Sequence, residues 1–336
     1  MARKLDRREF VRRAALAGVA MPWLARAEVL RALVAAPAQK AFRGIFAILQ
    51  TPFNQNDEID WEDLEREVAF CMKCGSHGLV WPQLAAEFYL LTDDERMRGA
   101  EVITRKAQGG ASTVVIGVQA PIRETAVKLA RHAEQTGADA VIALPPFLGH
   151  ASLDTALDYF RALARAVKIP IFIQNSGGSW GPTLPASTVI QLAQEFPSLG
   201  YIKEEVEPVA HRCEEYARSG VMRGIFSGNA GKYLLNEMAH GAQGTMPACE
   251  FVDIEVQVYD LAAAGKLDEA RALYQKLLPM IAMEELYGMH FAKAVLVRRS
   301  VFKSAKMRGQ RGTNLDAIDE QQMEIWWKQL APYFKA

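Results

Sequence analysis

The chain has 336 residues, half of them hydrophobic, and its 39 basic and 39 acidic side chains cancel. That composition is globular. The balanced charge supplies no field to gather nucleic acid or an anionic membrane, so a small molecule is the expected partner.

The first residues differ from the rest. Arg3, Lys4, Arg7, Arg8, Arg12 and Arg13 precede a small, apolar run from Ala14 to Ala25, followed by small-residue sites at Ala25-Arg26-Ala27 and Ala36-Pro37-Ala38. This is the layout of an export signal over residues 1–38, and Arg7-Arg8-Glu9-Phe10-Val11 resembles the twin-arginine type. It implies export machinery as a transient partner and a periplasmic location. The alternative is a cytosolic amphipathic helix, because Arg8 and Arg12 share a helical face.

From Gly44 onward, short apolar runs alternate with stretches of helical period. The expected strands are Gly44–Gln50, Gly78–Pro82, Thr113–Val118, Ala138–Leu144, Ile169–Gln174, Gly200–Lys203, Gly224–Ser227 and Ala242–Met246. Asp60-Trp61-Glu62-Asp63 opens one helix and Thr92-Asp93-Asp94-Glu95 opens another with capping-box spacing. Over Glu124–Thr136, Ala126, Val127, Leu129, Ala130 and Ala133 form one apolar face. Regular strand–helix alternation, without a glycine-rich loop after the first strand, favours an α/β fold of the (β/α)8 TIM-barrel type over a dinucleotide fold. The expected barrel covers residues 44–264. Helical patterns at Glu255–Ala264, Leu267–Met283, Glu284–Arg299 and Ile318–Tyr333 then give a C-terminal helical extension over 265–336.

Cys71-Met72-Lys73-Cys74 has redox or metal spacing but ends a helix and lacks a partner pair; with Cys213 and Cys249, these cysteines read as structural, though export would permit a disulfide. His77, His132, His150, His211, His240 and His290 show no ligand spacing. Neither a metal nor an organic cofactor is expected.

In a barrel of this kind the active site lies at the C-terminal ends of the strands. That rule selects Gln50, Thr51, Gln83, Glu87, Gln119, Gln174, Asn175, Lys203, Glu204, Glu205, Ser227, Gly228, Asn229 and Thr245. Lys203 ends the run Gly200-Tyr201-Ile202-Lys203. An amine at a low-dielectric mouth can condense with a ketone, and the resulting iminium is an electron sink for bond changes at the neighbouring carbon. The competing reading of Lys203 is a rim ion pair with Glu204 or Glu205. Glu205, two residues on, shares the lysine's side of the strand and is a candidate proton partner.

Gly44-Ile45-Phe46-Ala47-Ile48-Leu49-Gln50-Thr51-Pro52-Phe53, Glu87 with Leu91-Thr92-Asp93-Asp94-Glu95-Arg96, Ala133 to Ala140, Tyr201-Ile202-Lys203-Glu204, Ser227-Gly228 and Lys293 to Arg299 occur in an informative order. Together they resemble the dihydrodipicolinate synthase and N-acetylneuraminate lyase family of class I aldolases, from about Gly44 to the C terminus. The resemblance implies a Schiff-base lysine at Lys203, a 2-oxo acid substrate and a homo-oligomer, a tetramer being common.

Departures narrow what it implies. The family's Gly-Thr-Thr-Gly-Glu carboxylate loop is Gln83-Leu84-Ala85-Ala86-Glu87 here, so both hydroxyls are gone while backbone N–H groups remain for a carboxylate. The strand-end tyrosine is replaced by Gln174, before Asn175, and an amide cannot shuttle a proton as a phenol does. The tyrosine lent by a neighbouring subunit falls near Phe147 or Leu148, and the carboxylate-binding arginine near Ser179.

The expected activity is therefore a lyase of aldolase, hydratase-aldolase or dehydratase type, distinct from standard dihydrodipicolinate synthase. Lys203, Gln174 and Glu205 are its catalytic candidates. Thr51, Gln83, Leu84, Ala85, Glu87, Asn175, Gly228 and Thr245 are its substrate-binding candidates. A noncatalytic exported ligand-binding or scaffold protein is the alternative. Trp81, Leu84, Phe88, Phe147, Leu148 and Trp180 suit a hydrophobic oxo acid, or else packing and subunit contacts.

Overall fold

Strand alternation decides which side chains fill the interior of this protein and which meet its helices. The structure is a computed structural model that describes residues 40, 42–149, 151–309 and 315–336. The expected export segment and His150 lie outside these residues.

Strands β1 (Gly44–Ile48), β2 (Gly78–Trp81), β3 (Thr113–Gly117), β4 (Ala140–Ala143), β5 (Ile171–Asn175), β6 (Tyr201–Glu204), β7 (Gly224–Ser227) and β8 (Gly244–Thr245) form a closed parallel barrel in sequence order. One face of each strand points inward. Phe46, Ile48, Val80, Val115, Ala140, Ile142, Phe172, Tyr201, Phe226 and Met246 make an apolar plug, with Phe42 packed against it. The alternate residues, among them Ile45, Ala47, Leu79, Trp81, Ile116, Val141, Ile173, Ile202 and Ile225, pack in the larger outer core. Closure at β1–β8 needs glycine at 244, because a Cβ there would meet Gly44 O at 2.2 Å.

The expected strands are all present, with shifted ends. Ala138 is used to leave the preceding helix, its N–H donating to Ala133 O, so β4 begins at Ala140. Lys168 and Ile169 turn their N–H groups to Glu134, which delays β5 to Ile171. Ala242 donates to Glu237 O, leaving β8 only Gly244–Thr245.

Helices α1 (Trp61–Cys74), α2 (Asp93–Lys106), α3 (Arg123–Gln135), α4 (Leu153–Ala166), α5 (Ala186–Glu195), α6 (Val209–Ser219), α7 (Leu234–Ala239) and α8 (Val252–Ala263) follow the strands. Asp60 caps α1, and Thr92 with Glu95 forms the expected capping box of α2. On α3, Ala126, Leu129, Ala130 and Ala133 are buried as the periodicity requires. All four cysteines are buried free thiols. Burial pushes the thiols of Cys74 and Cys213 up to about 12, which suits packing rather than reactivity.

The helices after the barrel are α9 (Leu267–Tyr287), α10 (Met289–Arg298) and α11 (Ala317–Leu330). The break expected after Met283 falls instead at Gly288, whose φ of 60° and ψ of −143° end one helix and start the next. Beyond α10 the chain returns to the loops that follow β1 and β2. Arg308 donates to Asp57 O and Leu90 O and pairs with Glu95, while Lys306 reaches Gln55 O.

Candidate active site

The site begins with parity on β5 and β6. Gln174 pairs in register with Lys203, and Asn175 with Glu204. Phe172 and Tyr201 belong to the inner plug, so Gln174 and Lys203, two residues further, continue the inward rows. Lys203 is 3 % exposed, and its Nζ lies 3.0 Å from Glu205 Oε1. Gln174 Nε2 donates to Glu205 Oε2 at 2.6 Å. The three catalytic candidates therefore meet around one carboxylate. Gly228 makes room for it, because a Cβ at that position would stand 2.2 Å from Glu205 Oε1.

The next residue along each strand points outward and does something else. Asn175 Nδ2 donates to Glu204 Oε2 and to Leu184 O, and its Oδ1 accepts from Leu184 N. Glu204, fully buried, also accepts from Tyr216 Oη at 2.7 Å and from the backbone N–H groups of Glu205 and Val206. Burial raises the Glu204 carboxyl, and its Tyr216 and Asn175 donors pull the other way. On β7 and β8, Ser227 donates to Glu237 and Thr245 donates to Ser227 O. Burial pushes Glu237 up to about 7. Asn175 and Thr245 thus have protein partners in the outer layer and act by holding strand ends.

The loop after β2 is pinned from two sides. Thr51 Oγ1 donates to Ala86 O at 2.6 Å and accepts from Trp81 Nε1 at 3.0 Å. Trp81, read from sequence as a mouth residue, is instead wedged outward against Gly99, where a Cβ would approach its ring to 2.2 Å. Leu84 and Ala85 belong to a single 3-10 turn over Leu84–Ala86. Glu87 sits at φ 56° between two such turns, and its fully buried carboxylate is bonded by Lys293 of α10 and by the N–H of Arg308. Burial lowers Lys293, with the Glu87 charge opposing. Glu87 therefore fixes the loop instead of projecting to a ligand.

Lys293 and Arg308 were not singled out from sequence as partners of this loop. A lysine inside the apolar α10 run Phe291-Ala292-Lys293-Ala294-Val295-Leu296 was the available signal, since a buried ammonium requires an acidic partner.

Beside the loop, Phe88, Phe147 and Trp180 pack on one another at centroid separations of 5.7–5.8 Å, and Tyr89 stacks on Trp180 at 5.4 Å. These rings serve mutual packing across the rim, whereas Leu148 is exposed. A cavity of about 290 Å³ opens next to them, lined by Pro146, Phe147, Gly178, Ser179 and their neighbours. Among the described residues there is no group of three or more His, Cys, Asp or Glu able to hold a metal ion.

Residues 41–308 match the dihydrodipicolinate synthetase family. The chain belongs to that family. Among its curated relatives, the L-2-keto-3-deoxyarabonate dehydratase of Azospirillum brasilense is 32% identical over 79% of this chain and 87% of its own length. A probable 2-dehydro-3-deoxy-D-pentonate aldolase of Escherichia coli is 30% identical over 74% of this chain and 83% of its own. The crystal structure of dihydrodipicolinate synthase from Rhodopseudomonas palustris superposes with a TM-score of 0.77 at 26% identity, covering 86% of this chain and 97% of that one. This is a family of aldolase- and dehydratase-type lyases, and the closed eight-stranded barrel is its fold.

Proposed function

We propose that the protein is a lyase that binds a 2-oxo acid covalently through Lys203, with Glu205 as the proton carrier and Gln174 as its positioner. The observation that carries this reading is the buried Lys203–Glu205 contact at 3.0 Å, clamped by Gln174. Glu205 takes a proton from the lysine ammonium, and the free amine adds to the C2 carbonyl of the acid, its own proton passing to the oxygen. Glu205 then returns its proton, the C2 oxygen leaves as water, and a protonated imine remains. That cation draws electrons from the C3 side, which permits carbon–carbon or carbon–oxygen cleavage. The N–H groups of Leu84 and Ala85 are offered as the carboxylate seat, that of Ala86 being bonded to Gln83 O. Gln174 in place of the phenol supports chemistry other than dihydrodipicolinate synthesis, and the relatives named as synthases, a dehydratase and an aldolase show that one barrel serves several reactions.

The experiment is borohydride reduction in the presence of pyruvate and a panel of 2-oxo acids, read by intact mass. We expect one adduct on Lys203 that is lost in Lys203→Ala; a panel without any adduct overturns the mechanism. The replacement of a phenol by Gln174 favours a second reading, a noncatalytic binding protein on the same barrel. That reading requires ligand-induced thermal stabilisation to survive Lys203→Ala.

We also propose export through residues 1–38 and assembly as a homo-oligomer. Replacing Arg7 and Arg8 by Lys is expected to abolish periplasmic accumulation; unchanged accumulation removes the twin-arginine assignment.

A further inference from the structure

Two carboxyl groups outside the barrel mouth face one another. Glu250 follows β8, and Glu284 belongs to the last turn of α9. Glu250 is 1 % exposed, and no side-chain N–H or O–H among the described residues reaches either of its oxygens. What they meet is the carboxyl of Glu284, to which Glu250 is hydrogen-bonded. Two carboxyl groups share a hydrogen bond only while one of them keeps its proton. Glu284 also lines a cavity of about 190 Å³ with Asn229, Ala230, Ile281 and the exposed Glu285, which gives the shared proton a route to solvent.

The charged and titratable groups around the pair are Glu67 of α1, Asp253 and Glu255 of α8, Glu285 of α9, Lys232 after β7 and Arg299 after α10. Among the described residues, neither of these cations is free to replace the proton. Lys232 is held by Glu285 at 2.9 Å, and Arg299 by both oxygens of Asp253. The pair also brackets α10. At the start of that helix the N–H of Gly288 donates to Glu284 O, and at its end Arg299 Nη1 donates to Glu250 O at 2.7 Å. Gly288 alone separates α9 from α10, so a shift in the last turn of α9 passes to the next helix. Lys293, midway along α10, holds Glu87 and with it the loop after β2.

We propose that Glu250 and Glu284 form a one-proton latch that ties the two ends of α10 together and, on opening, loosens Lys293, Glu87 and the loop after β2. The latch does not depend on the covalent role of Lys203, since it acts on the loop whatever the barrel mouth binds. Loss of the proton sets two like charges in contact in a poorly solvated layer, which drives Glu284 out toward its cavity. Burial raises both carboxyls, that of Glu250 from 4.5 to about 7. The folded protein therefore keeps the proton, and the latch is closed, below about 7, and it opens as pH rises through that value.

The test uses the full-length protein as wild type, Glu250→Gln, Glu284→Gln and, as a control outside the pair, Glu237→Gln. Hydrogen–deuterium exchange read by mass spectrometry gives the protection of residues 84–90 and 289–298, with residues 123–135 of α3 as reference, at about pH 6 and about pH 8.5, each corrected for intrinsic exchange. In wild type, the loss of protection over 84–90 and 289–298 on raising the pH should exceed that over 123–135 by about tenfold or more, each pH unit past the titration being worth about tenfold. Either glutamine keeps an N–H to donate to the remaining carboxylate, so both amide variants should lose this extra pH dependence, and Glu237→Gln should retain it. Equal protection of wild type at both pH values overturns the latch without reference to any variant. A loss that is the same in all three segments is overall destabilisation and overturns it as well. A local loss that persists in both amide variants, or that Glu237→Gln abolishes, overturns the assignment to this pair.

Discussion

Glu204 and Glu205 are neighbours in sequence and opposites in environment. Glu204 faces outward and is satisfied by Asn175, Tyr216 and two backbone N–H groups. Glu205 faces the barrel mouth and has one lysine and one amide for company. A carboxylate with every lone pair engaged is a fastener, because moving a proton onto it breaks several bonds at once. With few partners, one of them an amine, a carboxylate can change protonation at little structural cost. The same residue type thus holds β6 in place at one position and is free for chemistry at the next.

Exchanging the two carboxylates for amides breaks that contrast from either side. Glu205→Gln should slow adduct formation on Lys203 by about 100-fold or more, the usual span for loss of a positioned acid–base group, and should also lower stability, because the buried Lys203 loses its counterion. Single-turnover trapping, under conditions where the variant is fully folded, and denaturant titration measure both; an unchanged trapping rate removes Glu205 from the mechanism. Glu204→Gln should touch stability alone, costing about 2 kcal/mol because the new NH2 faces donors that had a carboxylate to bond. Its trapping rate, measured where the variant is fully folded, should stay within about threefold of wild type, since its outward carboxylate serves structure only.

A smaller effect sharpens the same distinction through pH. Burial pushes the Glu67 carboxyl up to about 8, although Cys249 and the N–H of Gln50 donate to it. Between its ordinary value near 4.5 and that raised one, the folded protein keeps a proton that the unfolded chain has released. Stability therefore falls as pH rises through this window. Glu250 and Glu237, each raised by burial to about 7, act in the same direction. Glu67→Gln, whose Oε1 can still accept both hydrogen bonds, should flatten part of the decline in Tm between pH 5 and 8. An identical slope in the variant would show that Glu67 stays ionised when buried.

The barrel was legible in the sequence because each strand is a short apolar run and each helix announces itself by caps and period. Its ends were less so. Ala138, Ile169 and Ala242 are apolar enough for a strand, yet their N–H groups donate to the neighbouring helices, Ile169 to the Glu134 carboxylate and the other two to backbone carbonyls. At the site, strand-end position found Lys203, Gln174 and Glu205 but also gathered Thr51, Asn175 and Thr245, whose side chains point into the outer layer. Two-residue parity along β5 and β6 separates these groups once a single inward residue is known. The Glu87–Lys293 contact was beyond that logic, since it joins positions 206 residues apart.

That contact has a consequence for anyone recombining members of this family. The loop that follows β2 and the tail that follows α10 are one mechanical part encoded at two distant places. A chimera that takes the barrel from this chain and everything from α10 onward from a relative inherits a buried carboxylate whose counterion and backbone donor must come along with it. Crossover points that keep Glu87, Lys293 and Arg308 from a single parent preserve the part intact.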